Sequence, residues 1–240
     1  KIITLINDNF WSKAIFNYQK PLIKSLVKTL NISDKILTVS KKLKDDLPGN
    51  FHVELFYPWN TNKYELQGKI EEKYKLIYWG YINDRLDFDY LNNLISELDY
   101  RKSNFEILFI GPCNNCSKEL NQLKKSNKFS LLPATDLKDI DFSKILAALI
   151  PYKEGIEDID AISFPNKILP LLSKGLPILH TGMPYIINEE FIFKLNSNHK
   201  NSIRIINFVR ENYIGLQPGI KKFLEHNSIE KRTDQLLNYL

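Results

Sequence analysis

Cysteine, glycine, methionine and long apolar runs are all scarce in this 240-residue sequence. Two cysteines, Cys113 and Cys116, are too few for a disulfide framework. No second cysteine pair completes a zinc site with them. The four histidines, His52, His180, His199 and His226, show no metal-ligand spacing. No bound metal or cofactor is therefore expected. No apolar run approaches the roughly 18 residues that span a bilayer, and the first residues lack a signal-peptide pattern. The reading is a cytoplasmic protein. Zinc-finger spacing, RNA-binding aromatic motifs and a basic arm are also missing, which excludes nucleic acid as the expected partner. The net charge of +5 is a mild excess. It suits phosphate-bearing ligands or an anionic membrane surface. The sequence begins at Lys1, and its lone methionine is Met183, so further sequence is expected upstream.

What is present can build a core. Hydrophobic residues make up 43%, charged residues 25% and aromatics 12%. Short apolar runs bounded by turn signals alternate with amphipathic stretches, the pattern of buried parallel strands layered with helices. Strands are predicted at 2–6, 36–39, 52–56, 75–79, 105–110, 129–132, 145–150 and 177–180. Helices are predicted at 88–98, 118–124, 166–174, 202–211, 219–225 and 229–240. Earlier, Pro21 sits at a helix start, with Leu22, Leu26 and Leu30 on one stripe and Lys20, Lys24 and Lys28 on another. Ser40 caps a short helix over 41–47. The polar stretch 57–73 reads as a linker. The expected division is 1–67, a partial first α/β lobe, and 68–240, a Rossmann-like parallel sheet flanked by helices.

Ligands of open parallel sheets bind beyond the carboxyl ends of the strands. Those ends carry Gly80 and Tyr81 with Arg85, then Gly111-Pro112, then Tyr152-Lys153, and finally Pro165-Asn166-Lys167. Glycine at 80 and 111 lets backbone approach a ligand closely. Arg85 can meet a diphosphate as a fork and Lys167 as a point charge. A helix starting near Asn166 would aim free N–H groups at the same place. A plainer explanation also stands: Gly80 and Gly111 as tight turns, Lys167 as a solvated helix start.

The strings "LIYWGYINDRLDFDYLNNL", "FEILFIGP" and "ALIPY…FPNKILPLLSKGLPIL" resemble, in order and spacing, bacterial family 4 glycosyltransferases of the GT-B fold. "DKILTVSKKLKDDL" resembles the last strand and helix of their acceptor lobe, and "HNSIEKRTDQLL" their closing helix. The resemblance implies transfer of a sugar from a nucleotide-sugar donor to a glycan or lipid-linked acceptor of a surface polysaccharide. It also implies metal independence, with helix ends and cations stabilising the departing diphosphate. The donor would lie against Gly80, Tyr81, Arg85, Gly111, Pro112, Tyr152, Lys153, Pro165, Asn166 and Lys167.

The sequence departs from the family's Glu-x7-Glu pair, whose register falls on Ile162 and Pro170. Tyr81 stands where an arginine often follows the glycine. Glu154, Glu157, Asp158 and Asp160 precede the motif and offer carboxylates, or simply an acidic solvated loop. These departures keep two other readings open: a binding module that has lost catalysis, and a GT-B-type sugar-nucleotide epimerase. A redox role for Cys113 and Cys116 is set against two unlinked thiols in a variable loop. His180 is either a cleft residue or a core histidine. The Lys20, Lys24 and Lys28 stripe, with Phe16 and Tyr18 nearby, suits peripheral contact with the inner face of a membrane or an ordinary solvated helix face.

Overall fold

Two parallel sheets form where the short apolar runs were expected. The structure is a computed structural model describing residues 1–9, 19–113, 118–156, 159, 162 and 164–239. The first sheet has order β1-β2-β3, with β1 Ile3–Ile6, β2 Lys35–Thr38 and β3 Val53–Leu55. Helices α1 (Gln19–Asn31) and α2 (Lys41–Asp45) lie between these strands in sequence. The Ser40 side chain caps α2, accepting from the backbone N–H of Leu43. Leu30, Ile36 and Val53 are buried in a small core of their own.

The second sheet has six parallel strands in the order β6-β5-β4-β7-β8-β9. They are β4 Lys75–Trp79, β5 Glu106–Ile110, β6 Phe129–Leu132, β7 Ile145–Pro151, β8 Ile178–Thr181 and β9 Ile192–Lys194. The order runs outward from β4 to β6, then restarts on the other side of β4 with β7. That reversal leaves a crevice at the carboxyl ends of β4 and β7, where such sheets bind ligands. All of β7 is buried, as a central strand covered on both faces must be.

The flanking helices are α3 Phe88–Tyr100, α4 Lys118–Leu123, α5 Ile168–Ser173, α6 His199–His226 and α7 Ile229–Leu237. Two of them differ from expectation. The sequences 202–211 and 219–225 belong to the single helix α6, with Pro218 inside it. The buried stripe Val209, Tyr213, Leu216 and Ile220 runs straight through the supposed break. Packing of that continuous face outweighs the missing hydrogen bond at Pro218. Helix α5 begins at Ile168, two residues after Asn166. Pro170 then falls in the first turn, where its absent N–H would have had no intrahelical partner.

Strand β9 was not anticipated from the sequence. The stretch 57–73 lies against the second sheet and its helices. Tyr64 donates its hydroxyl proton to Gln217 Oε1 at 2.7 Å, and Glu65 pairs with Lys174 at 2.7 Å. Lys73 is buried there. Its ammonium donates to the carbonyls of Phe142 and Ile145, both at 3.0 Å. Burial pulls its pKa down to about 8, against an opposing pull from Asp141.

Candidate functional site

A cavity of about 740 Å³ opens at the reversal point of the second sheet. Its floor is the end of β4: Tyr78, Trp79 and Gly80. Tyr81, Asn83 and Arg85 continue the wall from the loop after β4, and Tyr152 adds the end of β7. The loop is laced to β7 by backbone: Asp87 N–H donates to Pro151 at 2.8 Å, and Lys153 N–H to Arg85 at 3.0 Å. It then closes into α3 through Asp87, whose carboxylate accepts from Tyr90 N–H at 2.9 Å. Arg85 is thus carried by a braced turn rather than a loose one.

Ile162, Phe164, Pro165, Asn166, Lys167 and Pro170 form the opposite side. Lys167 is half-buried, so the solvated explanation for it does not hold. Its Nζ donates to the Tyr78 hydroxyl at 3.1 Å and sits 4.2 Å from the Tyr78 ring centre. The Tyr152 ring centre is 5.5 Å away. No carboxylate among the described residues pairs with it. Burial lowers the Lys167 pKa to about 8. Burial likewise pushes the Tyr78 hydroxyl above its usual range, which keeps it protonated. A cation held against two rings without a counter-ion is poised to receive an anionic ligand.

Two glycines are required by this packing. A Cβ on Gly80, at φ +142°, would stand 2.7 Å from Lys167 Nζ. A Cβ on Gly182, at φ +67°, would collide with the carbonyl oxygens of Tyr152 and Lys153. Gly182 thereby holds the β8 turn beneath the end of β7, as does the Thr181 hydroxyl, which donates to the Tyr152 carbonyl at 2.6 Å.

Of the ten expected site residues, the cavity gathers seven: Gly80, Tyr81, Arg85, Tyr152, Pro165, Asn166 and Lys167. Gly111, Pro112 and Lys153 stand behind the lining and support it. Gly111 packs on the Gly80 carbonyl, where a Cβ would collide. The Pro112 carbonyl accepts from Ile82 N–H at 3.0 Å. The first sheet supplies lining that sequence reasoning missed: Asn7, Asp8 and Asn9 after β1, and Val39, Ser40 and Leu43 after β2. The rule about strand ends, applied to the first sheet, would have found them.

The remaining candidates separate from the cavity. His180 is buried in β8 outside the lining, a core histidine whose pKa burial and the Lys194 cation lower to about 4. Glu154 pairs with Lys194 at 3.3 Å. Lys20, Lys24 and Lys28 are exposed on α1. Glu157, Asp158, Asp160, Cys116, Phe16 and Tyr18 lie outside the described residues. Cys113 is half-buried against the main core.

The sequence matches no protein-family model and no curated protein. Solved structures do match. TarM aligns over 99% of this chain and 49% of its own, with TM-score 0.65 and 12% identity. The lipopolysaccharide outer core galactosyltransferase WaaB aligns over 93% of this chain and 64% of its own, with TM-score 0.65 and 13% identity. Anabaena HepE aligns over 98% of this chain and 70% of its own, with TM-score 0.69 and 8% identity. The chain has a GT-B glycosyltransferase fold. It spans about half the length of TarM. In GT-B terms, the cavity lies between the two parallel sheets and draws lining from both. At positions 162 and 170 of this GT-B chain, the lining is Ile and Pro rather than carboxylate.

Proposed function

We propose that this chain carries the nucleotide-sugar side of a glycosyltransferase, residues 68–240, with 1–67 as the end of the acceptor lobe. The observation behind this reading is Lys167: a half-buried cation, unpaired by any described carboxylate, in a cavity that also holds Arg85 at the sheet's reversal point. A diphosphate placed there meets Arg85 as a fork and Lys167 as a point charge. Gly80 and Gly111 bring backbone close behind them. As the sugar–oxygen bond breaks, those cations stabilise the charge left on the diphosphate, so the proposed transfer requires no metal. The proposed acceptor is a glycan or a lipid-linked saccharide. Peripheral contact of the α1 lysines with an anionic membrane would bring such an acceptor close. No described helix is long and apolar enough to cross a membrane.

Solved complexes of Staphylococcus aureus TarM and of Anabaena HepE both contain UDP, which makes UDP the first ligand to try. Calorimetry with UDP, GDP and their sugar conjugates tests the reading. Saturable binding is expected, weakened by about 1.5–3 kcal/mol in Arg85→Ala and in Lys167→Ala. Unchanged affinity in both variants would remove the site assignment. A second reading has its own observation, the Ile162 and Pro170 lining: a module that binds the donor without turning it over. Release of free nucleotide together with a glycosylated acceptor distinguishes transfer from mere binding, and from epimerisation.

A further inference from the structure

We infer that Lys167 is a covalent capture site for phosphate-bearing aldehydes, its amine condensing with the carbonyl carbon while Arg85 holds the phosphoryl group in the same cavity. The inference shares its residues with the proposed function but requires neither a nucleotide nor sugar transfer.

The hydrogen-bond pattern around Nζ carries the argument. The Tyr78 hydroxyl has one hydrogen, which it donates to the Tyr81 carbonyl at 2.7 Å. Toward Lys167 it acts only as an acceptor, at 3.1 Å. It therefore orients the amine without donating to its lone pair. No carboxylate among the described residues holds Nζ as an ammonium. Gly80 leaves one flank of Nζ without a side chain, and the rings of Tyr78 and Tyr152 wall the others. The charged and titratable groups facing the cavity are Asp8 from the turn after β1, Tyr78, Tyr81 and Arg85 from β4 and its loop, and Tyr152 after β7. Burial lowers the proton affinity of Lys167, so a usable share of the amine is neutral near pH 8. Desolvated lysines of this kind are the ones that form imines.

The chemistry balances without a further reactant. The neutral Nζ lone pair attacks the aldehyde carbon, and the carbonyl oxygen takes up a proton. Nζ gives one proton to water. The carbinolamine hydroxyl then takes a proton from water and leaves as water, the nitrogen lone pair forms the C=N bond, and the remaining N–H proton of the iminium returns to water. One amine and one aldehyde yield one imine and one water.

Pyridoxal 5′-phosphate is the probe, applied to the full chain near neutral pH, with borohydride to trap the imine and peptide mass spectrometry to locate it. Lys167 is expected to label at least about tenfold faster than the exposed Lys20, Lys24 and Lys28. Arg85→Gln should slow that labelling about tenfold at low probe concentration. It should leave labelling by pyridoxal, which lacks the phosphate, unchanged. Lys167→Arg should abolish the fast site. Labelling spread evenly over the surface lysines of the unmodified chain would overturn the inference, as would a fast site surviving in Lys167→Arg. Nucleotide calorimetry on the same preparation is read separately. Selective labelling without nucleotide binding sinks the donor reading and spares this one, and the reverse pairing does the opposite.

Discussion

Lys167 illustrates how a residue proposed to bind ligand can oppose folding. An unfolded lysine titrates near 10.5, whereas burial lowers the folded value to about 8. Below about pH 8 the folded chain bears the full cost of a desolvated cation. Between that pH and 10.5 the unfolded chain binds more protons, so the cost shrinks as pH rises. Lys167→Met should therefore stabilise the fold near neutral pH by about 1 kcal/mol, after discounting for solvent access. That is a rise of about 2–4 °C in Tm for a chain of this size. The gain should fade toward about pH 10. The same variant should lose affinity for nucleoside diphosphates, the expected exchange between stability and function. Thermal melts at both pH values, run beside calorimetry, check the pair of effects. A Lys167→Met chain no more stable than its parent would mean that the tyrosine contacts fully offset the burial. At this scale the sequence was informative about Gly80, Arg85 and Lys167, because strand ends and charge are visible in one dimension. Tyr78 was not legible as a site residue. In sequence it is one apolar position within a buried strand, and only the fold turns its hydroxyl toward Lys167.

Elements were legible where their signal is local. Buried parallel strands announce themselves as short apolar runs, and eight of the nine described strands fall within or beside the expected ranges. Boundaries that depend on tertiary contact were not legible. The sequence was expected to break the helix between 211 and 219, yet α6 continues through Pro218 because Tyr213, Leu216 and Ile220 bury one continuous face. The proline costs the helix one backbone hydrogen bond, and its ring is exposed to solvent. Pro218→Ala should therefore stabilise the chain by about 1 kcal/mol or more, measured as a higher urea midpoint at unchanged m. A lower midpoint would show that Pro218 helps α6 to pack. The cap of α3 makes the opposite case. Asp87→Ala removes the carboxylate that accepts from Tyr90 N–H and should cost about 1 kcal/mol. Because Asp87 also ends the turn that carries Arg85, diphosphate affinity should drop in the same variant. Equal affinity would show that the backbone bonds with Pro151 and Lys153 hold that turn by themselves.

On the scale of the whole molecule, the chain passes between its two sheets at one place and returns at the same place. Asn60 N–H donates to the Asn227 carbonyl at 2.6 Å, and Ile229 N–H to the Asn60 carbonyl at 3.2 Å. Helix α7 then lies against the first sheet, although it is the last in sequence. Tyr239 gives its hydroxyl proton to Glu54 at 2.8 Å, and Lys35 stands 4.6 Å from the Tyr239 ring centre. The Arg232 guanidinium lies 5.5 Å from the Phe56 ring centre. Among the described residues the first sheet has three strands and a small core, so these contacts weigh heavily in ordering them. The six-stranded sheet has a far larger core that α7 does not enter. Deleting residues 229–240 should therefore speed hydrogen exchange in β1–β3 while β4, β5 and β7 remain protected. Nucleotide affinity should fall modestly in that truncation, because Asn7, Asp8 and Ser40 would no longer be fixed opposite Lys167. The full chain provides the reference, and Tyr239→Phe, which removes one hydroxyl, should shift exchange the same way by a smaller amount. If protection were lost equally in both sheets, they would be a single cooperative unit. The cavity would then owe its shape to the whole chain rather than to a closing helix.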